Sequence, residues 1–226
     1  MDSRACPVHT ESMLTAVVFD VDGVLVDSRA ANARFFQNLL RAAGYEAPPS
    51  KEIQEYFHLS MYDAIAKLTR SDDPREIERV WNMGHDSTLY PIDLLEYPPH
   101  LEEVLRQLEL SYVLGIATSR IRNGMQELLE RGGIQDYFGS IITFDDYTHP
   151  KPNPEPLLLA VERLNVSPGA AVYVGDSISD ILAAAAAGMK GIHLSDIPSP
   201  RADIGIQSIA DLPAAVSQLA SAGEAR

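Results

Sequence analysis

Asp20 and Asp22 stand directly after the apolar run Ala16-Val17-Val18-Phe19. Other polar groups recur in the same relation to later β-prone runs: Thr118 and Ser119 after residues 112–117, Lys151 a short loop beyond residues 140–144, and Asp176 with Asp180 after residues 171–174. Carboxylates gathered in one place repel one another and are costly to ionise, so a shared hard cation such as Mg2+ is the natural remedy. One carboxylate can attack phosphorus and form a covalent intermediate. A second can protonate the leaving oxygen and later activate water. Asp20 and Asp22 suit these two tasks. A hydroxyl beside backbone N–H groups, together with a lysine ammonium, can hold phosphoryl oxygens and stabilise their charge, which fits Thr118 and Lys151.

The pattern around these residues says how they are brought together. Apolar residues at helical spacing fill the stretch from about residue 29 to 97, with breaks at residues 44–50, 71–74 and Pro91, and Pro74 is placed to open a helix. After Pro98-Pro99, helices at residues 101–108, 123–131, 154–164 and 178–187 alternate with strands at 112–117, 140–144, 171–174 and 191–194. Strands separated by such helices imply a parallel sheet covered on both faces. The expected fold is therefore α/β: a parallel-sheet core over residues 13–28 and 98–226, with an α-helical insertion over residues 29–97. Ligands of such sheets collect beyond the carboxyl ends of the strands, which is where the polar groups fall. Residues 214–222 read as a surface helix, and residues 1–12 as a loose leader.

Composition narrows the partners. At 226 residues and 46% apolar content, the chain suffices for a substantial domain carrying a smaller insertion. The net charge of −14 opposes a nucleic-acid backbone, and no basic stripe interleaved with aromatics offsets it. No apolar run approaches the ~20 residues that cross a bilayer, and the first dozen residues lack a secretory pattern. The single cysteine, Cys6, rules out an internal disulfide and fits a reducing compartment, so the expectation is a soluble cytoplasmic protein.

The segment Phe19-Asp20-Val21-Asp22-Gly23-Val24-Leu25-Val26-Asp27-Ser28 resembles the first motif of the haloacid dehalogenase-like hydrolase superfamily. Ala117-Thr118-Ser119 resembles the second, Lys151-Pro152-Asn153-Pro154-Glu155-Pro156 the third and Gly175-Asp176-Ser177-Ile178-Ser179-Asp180 the fourth. The placement of the cap and the lysine–proline string are most similar to the phosphoglycolate phosphatase and β-phosphoglucomutase group. The resemblance implies a Rossmann-like core with a helical cap inserted after the first motif, a Mg2+ cofactor, and phosphatase action on a small phosphorylated metabolite through an aspartyl-phosphate. On that basis Asp20 is nucleophile and metal ligand, and Asp22 is acid/base and binds metal through its carbonyl. Thr118, Ser119 and Lys151 hold phosphate, Asp176 completes the metal site, and Asp180 supports it from behind. Gly23 allows the turn on which the cap hinges.

The same residues would serve a phosphomutase, which returns the phosphoryl group to a sugar, or a silent module that only binds such metabolites. Loss of Asp20, Asp22 or Lys151 would mark the latter, and all are present. Carbon–halogen hydrolysis leaves Asp22 and Asp176 without a purpose. His149 reads as an exposed loop residue, and Asp145 and Asp146 as an acidic turn or a support for the lysine loop. Tyr56, Phe57, His58, Tyr62, Lys67, Arg70, Trp81 and His85 lie in the insertion, where most aromatics serve packing, so none is singled out.

Overall fold

The computed structural model describes residues 13–57 and 59–224. The expected leader at residues 1–12, with Cys6, and His58 lie outside them. Six strands form one parallel sheet: β1 (Ala16–Phe19), β2 (Val113–Ala117), β3 (Phe138–Ile142), β4 (Ala171–Gly175), β5 (Lys190–Leu194) and β6 (Ile204–Ile206), in the order β3-β2-β1-β4-β5-β6. β1 and β4 are buried along their whole length, as central strands covered on both faces must be. Successive side chains of β1 point to opposite faces, so Val17 and Phe19 enter one apolar cluster while Ala16 and Val18 enter another. Phe19 lies level with Ile116 on one side and Val174 on the other. Asp20, Ala117 and Gly175 therefore leave the sheet side by side, at the point where the strand order reverses direction.

Between β1 and β2 the chain forms helices α1 (Arg29–Ala42), α2 (Ser50–Gln54), α3 (Met61–Thr69) and α4 (Pro74–Met83), followed by short 3-10 turns at Ser87–Leu89 and Ile92–Leu94. α3 closes on Arg70 in the left-handed conformation, and Asp73 caps α4 by accepting the Arg75 N–H at 3.0 Å, one residue before Pro74. The insertion has its own apolar cluster of Phe35, Leu39, Ile65, Ile77 and Val80. Its two connections to the core are paired: the Asp27 N–H donates to the Glu96 carbonyl at 2.7 Å, and the Glu96 N–H returns to the Asp27 carbonyl at 3.1 Å.

The rest of the core adds α5 (Leu101–Glu109), α6 (Met125–Arg131), α7 (Glu155–Arg163), α8 (Ile178–Ala187) and α9 (Leu212–Glu224). Three local differences from the sequence pattern have clear causes. α6 starts two residues later than expected because Gly124 takes φ +83, which breaks the helical run before Met125. β3 covers 138–142 rather than 140–144, because Thr143 and Asp146 form a reciprocal cap that turns residues 144–146 into a 3-10 helix. β6 was not anticipated; Ile-Gly-Ile is too short to show alternation. No helix among the described residues is long and apolar enough to cross a membrane.

Candidate active site

Asp20 is buried and doubly held: Oδ1 accepts the Val21 N–H at 2.8 Å, and Oδ2 lies 3.1 Å from the Lys151 ammonium. Lys151 reaches it from the loop before α7. Its Nζ also donates to Asp180 Oδ1 at 2.7 Å and to the Tyr173 hydroxyl at 2.9 Å. Tyr173, fully buried in β4, anchors this end by donating to the Ala117 carbonyl at 2.7 Å. Burial alone would strip the charge from Lys151, but Asp20, Tyr173 and Asp180 outweigh that and keep it protonated far above the usual lysine range.

β4 delivers Asp176 and Asp180. Asp180 is buried; besides Lys151 it accepts the Ser177 N–H at 3.0 Å and the Ser177 hydroxyl at 2.6 Å through Oδ2, in a capping box that opens α8. One carboxylate oxygen from each of Asp20, Asp176 and Asp180 lies within 4.8 Å of the others. The cost of this crowding shows in their protonation. Burial, then Asp180 and Asp22, push Asp20 up to about 6 against the pull of Lys151. Asp176 is pushed up to about 7 by lost hydration and by repulsion from Asp20, Asp180 and Asp22. Asp176 is solvent-exposed as a residue, so repulsion is the firmer of its two causes. Three carboxylates against one ammonium leave two negative charges, and all the donors are hard oxygens, so the residues fit a divalent ion such as Mg2+.

Two glycines make the approach possible. At φ +74, Gly23 lets the turn after Asp22 close on β4, where a Cβ would come within 2.0 Å of Asp176 Oδ2. A Cβ on Gly175 would meet the Cβ of Asp180 at 2.3 Å. The Asp176 main chain is fixed from behind by His193, buried in β5. His193 Nδ1 accepts the Ser199 N–H at 2.8 Å, which leaves the proton on Nε2 to donate to the Asp176 carbonyl at 3.0 Å.

Asp22 has a different neighbourhood. Both its oxygens accept from Arg120, Oδ2 from Nε and Oδ1 from Nη2, each at 2.8 Å. Partial burial opposes its charge, but Arg120, Ser28 and Asn32 outweigh that and hold its carboxyl below the usual range. Thr118 has no solvent access; its Oγ1 accepts the Arg120 N–H at 3.2 Å, so contact with phosphate needs the 118–120 loop to shift. Ser119, next along, is exposed.

Asp20, Lys151, Asp176 and Asp180 thus meet in one place, with Asp22, Thr118 and Ser119 on the loops beside them. Sequence reasoning missed Arg120, Tyr173 and His193; for Arg120 the available signal was its position directly after Thr118-Ser119. His149 is exposed and meets Glu155 Oε2 at 2.7 Å. Asp145 accepts the Arg122 N–H at 2.6 Å, and Asp146 pairs with Arg122 and Arg163, so both acids shape the turn ahead of the Lys151 loop. Tyr56, Phe57, Tyr62, Lys67, Arg70, Trp81 and His85 lie in the helices and turns of the insertion, with Trp81 edge-on to His85 at 4.3 Å.

Residues 17–194 match the family described as haloacid dehalogenase-like hydrolase. The pyrophosphatase PpaX of Bacillus pumilus is 31% identical over 182 residues, covering 80% of this chain and 82% of that protein. A solved hydrolase of the same superfamily, subfamily IA, variant 1, from Geobacter sulfurreducens is 27% identical, with a TM-score of 0.70 over 90% of this chain and 96% of that one. The β-phosphoglucomutase of Clostridium difficile has the same fold, with a TM-score of 0.78 over 95% of this chain and 100% of that one at 20% identity.

Proposed function

The chain belongs to the haloacid dehalogenase-like hydrolases, and we propose that within this family it is a Mg2+-dependent phosphatase of a small phosphorylated metabolite, working through an aspartyl-phosphate on Asp20. The observation that carries this reading is the meeting of Asp20 with Lys151 at 3.1 Å inside a cluster of carboxylates from two neighbouring strand ends. We assign residues 13–28 and 98–226 to the catalytic core and residues 29–97 to a cap that sets access. The separate apolar cluster of the insertion and its paired connections at Asp27 and Glu96 support that division. A cytoplasmic setting, where such metabolites are held, goes with it.

In the first half-reaction an Asp20 oxygen forms a bond to phosphorus as the bond to the leaving oxygen breaks, and Asp22, once it has left the Arg120 fork and taken up a proton, gives that proton to the leaving oxygen. In the second, Asp22 takes a proton from water, the water oxygen bonds to phosphorus, and the Asp20–phosphorus bond breaks to release inorganic phosphate. Lys151 faces the oxygens that carry the developing charge, and the exposed Ser119 with the adjoining N–H groups completes their cradle, joined by Thr118 if its loop opens. Asp20, Asp176 and the Asp22 carbonyl would hold the metal, with Asp180 behind them; when bound, Mg2+ supplies positive charge that offsets these carboxylates and the phosphoryl group.

A phosphate-release screen with pyrophosphate, phosphoglycolate, sugar phosphates and nucleoside monophosphates, each with Mg2+ or EDTA, tests the proposal. The similarity to PpaX puts pyrophosphate first in that panel. Turnover should require Mg2+ and vanish in Asp20→Asn; full turnover by that variant would defeat the reading. With β-glucose 1-phosphate, free glucose and phosphate are expected, whereas glucose 6-phosphate would make the protein a mutase.

A further inference from the structure

The three carboxylates that face one another are not aimed in the same way. Asp20 is held through its carboxylate by the Val21 N–H and Lys151, and Asp180 by Lys151 and Ser177. Among the described residues no donor reaches the Asp176 carboxylate. Its direction depends on the turn at Gly23, against which Oδ2 packs, and on its own main chain. The side chain that holds this main chain is His193, which lies level with Gly175 across the β4–β5 pair and donates from Nε2 to the Asp176 carbonyl at 3.0 Å. The other ring nitrogen is engaged by the Ser199 N–H at 2.8 Å, so the buried ring cannot turn without breaking both bonds. Ser199 belongs to the loop that joins β5 to β6, and that loop is pinned at both ends. The Ser195 N–H donates to the Ile206 carbonyl and the Asp203 N–H to the Gly191 carbonyl, each at 2.9 Å, and the Gly191 N–H returns to Asp203 Oδ2 at 2.8 Å.

We propose that His193 is a positioning residue for the metal: by holding the Asp176 carbonyl it fixes the backbone from which the Asp176 carboxylate departs, and so sets the affinity for Mg2+, with the β5–β6 loop as its support. The inference rests on the reading of Asp176 as a metal ligand. The rotamers open to a side chain depend on the backbone torsions at its Cα, so a restrained carbonyl restrains the carboxylate that follows from it. Groups that orient a metal ligand from one layer out matter to affinity nearly as the ligands do. Here the orienting bond goes to the ligand's main chain, because its carboxylate has no partner of its own. His193 adds no charge to the acid cluster, since the Ser199 N–H occupies the nitrogen that a second proton would need.

The test reads binding of the ion without turnover. Mn2+, which accepts the same hard oxygen donors, is titrated into the substrate-free protein while its free fraction is followed by electron paramagnetic resonance, and Mg2+ is then added to displace it. Asp176→Asn sets the scale and should bind both ions at least ~10-fold more weakly than the parent. His193→Phe, which keeps a ring and removes both nitrogens, should weaken Mg2+ by ~10-fold or more, and His193→Gln, which keeps a donor and an acceptor, by ~3-fold or less. Urea unfolding in EDTA gives the stability of each variant apart from the metal. A His193 that only satisfies a buried carbonyl would lower that stability and leave both affinities unmoved, which would overturn the inference while the metal reading stands. Equal losses of affinity in His193→Phe and His193→Gln would overturn it too. If the parent takes up no displaceable Mn2+, or Asp176→Asn binds as tightly as the parent, the metal reading fails and the inference with it. Should His193→Phe not fold, His193→Leu takes its place.

Discussion

In the core, Lys151 meets Asp20 and Asp180 with only 4% of its side chain exposed, whereas in the insertion Arg79 meets Glu76 with 46% of its side chain in solvent. The two sets of contacts look alike on paper and differ in what their loss would do. A buried ammonium balances acids that water cannot reach, while water replaces an exposed partner at little cost. The comparison teaches that an ion pair is hard to dispense with where burial denies its members water, and easily replaced where it does not.

The largest expected effect follows from removing that balance. Lys151→Met leaves the buried Asp20 and Asp180 without their cation, so that they must either stay charged and uncompensated or take up protons, which should cost about 3–5 kcal/mol in urea unfolding with EDTA present and abolish phosphate release. Destabilisation below about 1 kcal/mol would erase the distinction between the two regions.

A pair of glycines sharpens it. Gly23 and Gly44 both adopt left-handed backbone, at φ +74 and φ +88, but a Cβ on Gly23 would strike Asp176 while one on Gly44 meets nothing within 4 Å. Gly23→Ala should displace Asp176 and raise the Mg2+ concentration needed for half-maximal activity by ~10-fold or more. Gly44→Ala should cost only the ~1–2 kcal/mol of the backbone conformation and leave the Mg2+ requirement unmoved. Equal Mg2+ curves for the two variants would show that the close approach at Gly23 does not matter to the site.

How much of this was legible in the sequence depends on the distance over which each residue finds its partner. β1 and β4 show as apolar runs because both faces are covered, and the resemblance carried by the motifs that follow them is upheld by the match over residues 17–194. The fold class was likewise readable, since alternating helices and strands leave few topologies. The Arg120–Asp22 fork joins residues 98 positions apart, and nothing in either segment announces the other. Tyr173 reads as one more apolar strand residue until its hydroxyl is seen between Ala117 and Lys151. His193 is equally silent, because its task is to hold a main-chain carbonyl of another strand's loop. The shift of β3 was hidden for a local reason: the Thr143–Asp146 cap competes with the last two strand positions.

The same acid cap gives the core a pH dependence. Burial resists the charge of Asp146, but the Thr143 N–H, Arg163, the Thr143 hydroxyl and Arg122 prevail and hold its carboxyl down at about 2. A depressed acid stabilises the fold fully above its unfolded value near 3.8, and that contribution disappears as pH falls toward about 2. The parent should therefore lose roughly 2 kcal/mol more than Asp146→Asn between pH 4 and pH 2 in urea unfolding. Parallel profiles for the two proteins would mean that the cap contributes nothing to the core.

The smallest expected effect lies in the insertion, where the same direction of shift has a different consequence. Arg79 and the Tyr45 hydroxyl hold the Glu76 carboxyl at about 2, as low as Asp146. Glu76 donates nothing to an otherwise buried structure, however, and both of its partners keep access to water that can take their place. Arg79→Met should thus move the urea midpoint far less than Lys151→Met, and a double-mutant cycle with Glu76→Gln should show little coupling between the two. Phosphate release should be unchanged in both variants. A coupling as large as that expected at Lys151 would mean that the insertion, too, is held together by ion pairs its stability cannot spare.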